Sequence, residues 1–138
     1  MGINLDTLIL GGTLITMDDE RGIVKEGSVL IRDNKIAFVG SRSEGESFSA
    51  DRVIDAKGKY ILPGFINMHC HMFQVLLRTV GADMMLLDWL KKAIWPIVPK
   101  MSFEDVYNGA VLAIAENIKS GVTTIVEMHY GNPHFEAV

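Results

Sequence analysis

The chain has 138 residues, 49% of them hydrophobic and 22% charged, with 13 basic and 17 acidic side chains and a net charge of −4. That is enough for one ordinary soluble domain, and its scattered Lys and Arg residues speak against a nucleic-acid-binding surface. No apolar run reaches the ~18 residues of a membrane helix, and the single cysteine excludes an internal disulfide. The start Met1-Gly2-Ile3-Asn4-Leu5-Asp6 lacks the basic and apolar stretches of a secretion signal, and Asp6 stands where a myristoylation signal needs Ser or Thr. A cytoplasmic protein acting on a small molecule is expected, with neither nucleic acid nor membrane as partner.

The first ~58 residues read as short strands and turns. Strands are expected at 5–10 and 13–17, separated by Gly11-Gly12. Two more, at 27–31 and 35–39, flank Asp33-Asn34, a two-residue hairpin signal. Residues 41–49 are polar and read as a loop. Short strands follow at 52–55 and 60–62. This is expected to be a small antiparallel β unit, too thin to stand without packing on something else.

From Pro63 the pattern changes to longer alternating elements. Residues 65–69 form a short apolar strand. Residues 73–80 carry apolar side chains at helical spacing and end at Gly81. A second helix over 86–94 stops at Trp95-Pro96. Ser102-Phe103-Glu104-Asp105 resembles a capping box and opens the clearest helix. Val106, Ala110, Ala113, Ile114 and Ile118 mark its apolar face, and Gly121 suits the position just past its end. Residues 122–128 then form a second β-branched strand. Strand, helices and strand make a right-handed βαβ unit with parallel strands. Two parallel strands expect cover on both faces, so the chain reads as the beginning of a larger α/β protein.

Chemistry gathers at the strand ends. In a strand, residues i and i+2 share a face, so His69 and His71 can reach one point while Cys70 faces away. Two neutral imidazoles aimed at one point are half of a transition-metal site. On their own they are equally a pair of surface histidines, since metal sites need more than two ligands. His129 ends the second strand, with His134 beyond it. Gln74 follows the histidines and can present an amide to the same region. Trp89 and Trp95 read as core side chains, with Trp89 also a candidate against a substrate. Glu127 reads as polar filling or as a residue of a barrel interior, and Cys70 as a small buried residue. Dinucleotide and phosphate loops, the Gly-x-Ser-x-Gly elbow and cysteine-based zinc folds are all missing.

The run Leu62-Pro63-Gly64-Phe65-Ile66-Asn67-Met68-His69-Cys70-His71 resembles strand 1 of the amidohydrolase superfamily, whose members carry a metal-dependent (β/α)8 barrel. Met72-Phe73-Gln74-Val75-Leu76-Leu77-Arg78, Asp88-Trp89-Leu90 and Ser120-Gly121-Val122-Thr123-Thr124 are similar to the branch of s-triazine chlorohydrolases and of cytosine-, guanine- and adenosylhomocysteine-type deaminases. The resemblance covers nearly the whole chain. It implies an α/β protein comprising a β-sandwich portion over 1–60 and the first β/α units of an incomplete barrel over 61–138. His69 and His71 would be two ligands of one divalent metal, zinc ahead of iron. A water activated by that metal would attack an electron-poor ring carbon of a heterocyclic substrate and displace ammonia, an amine or chloride. Gln74, Trp89 and His129 would contact the substrate. No catalytic acid or base is assigned, because the family takes it, and the other ligands, from later strands. Gln74 matches a position where guanine and related deaminases place an amide against the ring, which points to an amino-substituted purine, pterin or triazine. Adenosyl-nucleoside deaminases commonly place an acid after Trp-Pro-x to hold the ribose, and Val98 stands there instead, which weakens the nucleoside expectation. The chain alone is expected to be inactive, and to form a homo-oligomer or associate with the missing barrel portion. The competing expectation is a noncatalytic fragment or binding module that needs a partner segment to complete the site.

Overall fold

A computed structural model describes residues 5–130 of the chain. It divides into two compact units, residues 1–63 and 64–138.

The first unit is a five-stranded sheet. β1 (Thr7–Ile15), β2 (Ile23–Arg32) and β3 (Lys35–Ser41) form an antiparallel meander, while β4 (Arg52–Asp55) and β5 (Tyr60–Ile61) both pair with β1 in parallel. The sheet is therefore mixed, not purely antiparallel. The return of the chain across α1 (Arg42–Gly45) brings β4 alongside β1 in the same direction. The expected break at Gly11-Gly12 is a bulge instead. Gly11 takes φ +79°, and the β1–β2 register slips on either side of Gly12, so the strand kinks without ending. Asp33 and Asn34 have φ 48° and 59°, the paired left-handed conformations of a type I′ hairpin. The stretch read as a loop contains α1 because Ser41 and Glu44 form a reciprocal capping box. Leu8, Leu14, Leu30 and Ala56 are buried at the centre of this unit.

The second unit carries the site. β6 (Phe65–Cys70) and β7 (Val122–Glu127) are parallel neighbours, as the alternating grammar predicts. Between them run a 3-10 helix over Met72–Leu77, α2 (Leu86–Trp89) with a π-helical continuation over Leu90–Ile94, and α3 (Phe103–Lys119). The first predicted helix is thus shorter and tighter than its apolar spacing suggests. Phe73, Ile94, Val98, Met101 and Val106 form one buried cluster, and Met72, Ala110 and Ala113 a second. Ile114 and Ile118, placed on the apolar face by spacing, are 41% and 66% exposed. The buried stripe instead runs through Val106, Gly109, Ala110 and Ala113. Trp95, expected in the core, is 49% exposed. The π turn shifts its phase relative to a regular helix and leaves Ala93 and Ile94 facing inward.

α3 begins as its sequence predicts. The Ser102 hydroxyl accepts the Asp105 N–H while the Asp105 carboxylate accepts the Ser102 N–H. The Ser102 hydroxyl also donates to the Asp105 carboxylate at 2.7 Å, and this bond, with that from the Ser102 N–H, lowers the Asp105 carboxyl below the ordinary range. A group whose folded-state value is depressed contributes stability above its unfolded value and loses it as pH falls through the folded one. As the loss of an N-cap side chain, Ser102→Ala should cost about 1 kcal/mol at neutral pH. Chemical denaturation should show that cost shrinking once the solution is acid enough to protonate Asp105. At the far end Gly121 takes φ +83°, the left-handed position that closes a helix.

Candidate metal centre

His69 is the penultimate residue of β6 and His71 follows the strand directly. The β6–β7 register slips between Asn67 and Cys70, so the backbone around His69 leaves the regular ladder. Such irregularities re-aim side chains at strand ends. Asn67 compensates, since its Oδ1 accepts the His69 N–H at 3.3 Å. Asn67 is held in turn by Asn117 of α3, its Nδ2 donating to Asn117 Oδ1 at 3.1 Å. The sequence gives neither asparagine a role, although Asn67 stands within the strand-1 run. Their side chains sit on different elements, and nothing local links positions fifty residues apart.

The two imidazoles converge. Their Nε2 atoms are 3.1 Å apart and their rings nearly perpendicular, at 89°. His71 Nδ1 lies 2.6 Å from the carbonyl oxygen of Met128. A carbonyl only accepts, so Nδ1 carries the proton and Nε2 presents its lone pair. This is the arrangement of a metal-binding histidine whose second nitrogen is tied to the backbone. Two nitrogens each 2.0–2.1 Å from one tetrahedral zinc stand about 3.4 Å apart, close to the separation found. The donor set therefore fits a divalent metal. Among the described residues no group of three or more His, Cys, Asp or Glu side chains is placed to hold one. Cys70 is a poor third donor: burial pushes its thiol up, and the Glu127 carboxylate paired with it across the sheet adds to the effect, so the thiolate that metals bind is disfavoured.

The other predicted residues divide. Gln74 is near the pair, since its Nε2 donates to the Tyr130 hydroxyl at 2.6 Å and the Tyr130 ring stands edge-on to His71 with centroids 5.2 Å apart. Tyr130, which no motif flags, is thus part of the rim. His129 packs edgewise on Phe73, 4.7 Å between centroids. Trp89 donates its indole N–H to the Val80 carbonyl at 2.8 Å and packs partly on the core. Gln74 and Trp89 meet in a hollow of about 480 Å³ that also includes Arg78, Val80, Met84 and Leu86. The histidine pair is not among its walls. A smaller hollow of about 280 Å³ joins His71 and Gln74 with Arg78, Glu116 and Asn117. There the Arg78 guanidinium grips Glu116 through two hydrogen bonds and holds its carboxyl below the usual range. His134 lies outside the described residues.

Parallel strands joined through helices, with polar side chains collected past the strand ends, define a mixed α/β protein of the kind that builds sites at one edge of a sheet. The model of the amidohydrolase family matches residues 60–138, and the chain belongs to that family. It is 41% identical over 125 residues to a 5'-deoxyadenosine deaminase of Methanosarcina mazei. It is 43% identical over 123 residues to a 5-methylthioadenosine/S-adenosylhomocysteine deaminase of Desulforamulus reducens. These matches cover 91% and 88% of this chain but only 28% of either relative. Among solved structures, a zinc-bound adenosine deaminase of Xanthomonas campestris superposes with TM-score 0.84 at 28% identity, over 91% of this chain and 29% of that one. The zinc complex of an atrazine chlorohydrolase of Arthrobacter aurescens superposes with TM-score 0.78 at 25% identity, over 95% of this chain and 32% of that one.

Proposed function

We propose that this chain is the N-terminal part of a metal-dependent hydrolase that breaks a C–N bond, or a C–Cl bond, on a nitrogen heterocycle. The observation that carries the proposal is the convergence of His69 and His71 Nε2 at 3.1 Å, with His71 Nδ1 held by Met128. In this reading residues 61–138 begin a (β/α)8 barrel and residues 1–60 contribute to a β-sandwich. The parallel β6–β7 pair and the helices between them support the first part; the sheet of β1–β5 supports the second.

His69 and His71 would hold one divalent metal. The zinc present in two structural relatives favours zinc over iron. When bound, the metal supplies an activated water at near-neutral pH for attack on an electron-poor ring carbon. The chain's own residues hold and orient. Met128 keeps the His71 lone pair directed outward, Asn67 steadies the His69 backbone, and Gln74 and Tyr130 place an amide and a phenol at the rim. Gln74, Trp89 and His129 would face the substrate. The remaining ligands and the acid that protonates the leaving amine come from outside the described residues.

Relatives acting on adenosine derivatives make an aminopurine the leading substrate class. Val98, where a ribose-binding acid would stand, is 1% exposed and packed among Phe73, Ile94 and Val106. A carboxylate there would be buried and unpaired, so recognition of any ribose must come from elsewhere. No described helix is long and apolar enough to cross a membrane. A zinc-loaded protein of the relatives' full length that carries this chain should release ammonia from aminopurine nucleosides or chloride from chlorotriazines. Folded, metal-loaded protein that turns over neither class would sink the proposal.

The second reading, a module completed by a partner segment, is favoured by exposed apolar surface on the strand that bears the site. Phe65, Ile66 and Met68 are 54%, 61% and 68% exposed, which is surface that expects cover.

A further inference from the structure

His71 is held from three sides by two consecutive residues at the end of β7. Before it, the Cys70 carbonyl accepts the Met128 N–H at 2.8 Å. At the ring, Nδ1 donates to the Met128 carbonyl at 2.6 Å. After it, the Met72 N–H donates to Glu127 Oε2 at 2.9 Å. The first two contacts use Met128 backbone atoms, which no substitution removes. Glu127 contributes the only β7 side chain among the three.

The local chemistry calls for an acceptor there. β6 ends at Cys70, and Met72 opens a 3-10 helix. The first N–H groups of a helix lack intrahelical partners, and the His71 side chain, in the capping position, accepts none of them. Glu127 supplies the missing acceptor from the neighbouring strand as a charge-assisted hydrogen bond. Its placement is expensive. The other oxygen, Oε1, is buried with no hydrogen-bond partner among the described residues, and burying an unsatisfied polar atom costs free energy.

We propose that Glu127 is a positioning residue for His71: by anchoring the Met72 N–H it holds the imidazole on the Met128 carbonyl and keeps Nε2 directed at the metal position. The inference rests on the reading of His69 and His71 as ligands. Losing a partner bonded to the ligand ring itself weakens metal binding about 10–100-fold, and Glu127 acts one bond further out, so the lower end of that range is expected. The test compares this chain with Glu127→Ala and Glu127→Gln. Two readouts are taken: zinc affinity by chelator competition, and the His71 tautomer by imidazole ¹⁵N shifts without metal. Glu127→Ala should fall within that loss range and show a mixed tautomer. Glu127→Gln retains an acceptor oxygen of the same reach and should recover most of both. A folded Glu127→Ala with the original tautomer and affinity overturns the proposal, as does Glu127→Gln that is folded yet as impaired as alanine. Should the alanine variant not fold, amide exchange at Met72 in the unsubstituted chain decides: protection supports the anchor, and exchange at the rate of an open loop overturns it. If the His71 tautomer is locked and is freed by Glu127→Ala while a protein of the relatives' full length that carries this chain takes up no zinc, the positioning inference stands and the metal reading fails.

Discussion

His71→Ala should remove metal binding while leaving the second unit folded. The substitution deletes one of two converging donors, so the affinity loss should exceed the ~10–100-fold typical of losing an outer-shell partner. The structural cost is smaller. One hydrogen bond to Met128 disappears, worth about 1 kcal/mol, and because His71 is only half-buried water can take its place. His69→Ala should match the loss of metal at still lower structural cost, since its side chain is exposed and its backbone N–H stays on Asn67. Chelator competition and thermal melts on both variants separate the two effects. Retained zinc affinity in either variant would move the site elsewhere.

Gly109→Ala should destabilise the chain although alanine is the better helix former. In the interior of α3 the exchange gains about 1 kcal/mol of helix propensity. Against this, a Cβ at position 109 would lie 2.7 Å from the Phe73 carbonyl oxygen and 3.1 Å from its Cα. These are backbone atoms of the 3-10 helix two residues past His71 and cannot swing aside like the tip of a side chain. Overpacking of this kind costs about 1–3 kcal/mol, and with backbone as the obstacle the upper end applies. A net loss of about 1–2 kcal/mol is expected in urea denaturation. The displaced helix carries Met72, so metal affinity should fall as well. Unchanged or increased stability would mean that α3 and this helix do not approach as closely as the structure shows.

Both predictions bear on how far the sequence could be read. The capping box at Ser102, the left-handed Gly121 and the Asp33-Asn34 hairpin were legible because each depends on neighbours a few residues apart. The convergence of His69 and His71 was legible for the same reason: strand periodicity puts i and i+2 on one face. What escaped depends on partners distant in the chain. Asn67 meets Asn117, Glu127 meets Met72, and Gln74 meets Tyr130, and no local pattern marks any of these pairs. The buried face of α3 was read correctly at Val106, Ala110 and Ala113 and wrongly at its edge. Spacing favours the bulky Ile114 and Ile118, whereas close approach of the 3-10 helix selects Gly109. The parallel placement of β4 and β5 on β1 was likewise hidden, because short strands carry no signal of the direction in which they pair.

The most direct test of the metal centre is X-ray absorption on the chain loaded with one equivalent of zinc. Coordination by His69 and His71 predicts a first shell with two imidazole nitrogens at 2.0–2.1 Å. The multiple-scattering signature of those rings should halve in His69→Ala or His71→Ala. A shell made of oxygen alone, or an imidazole signature indifferent to both substitutions, would contradict the assignment.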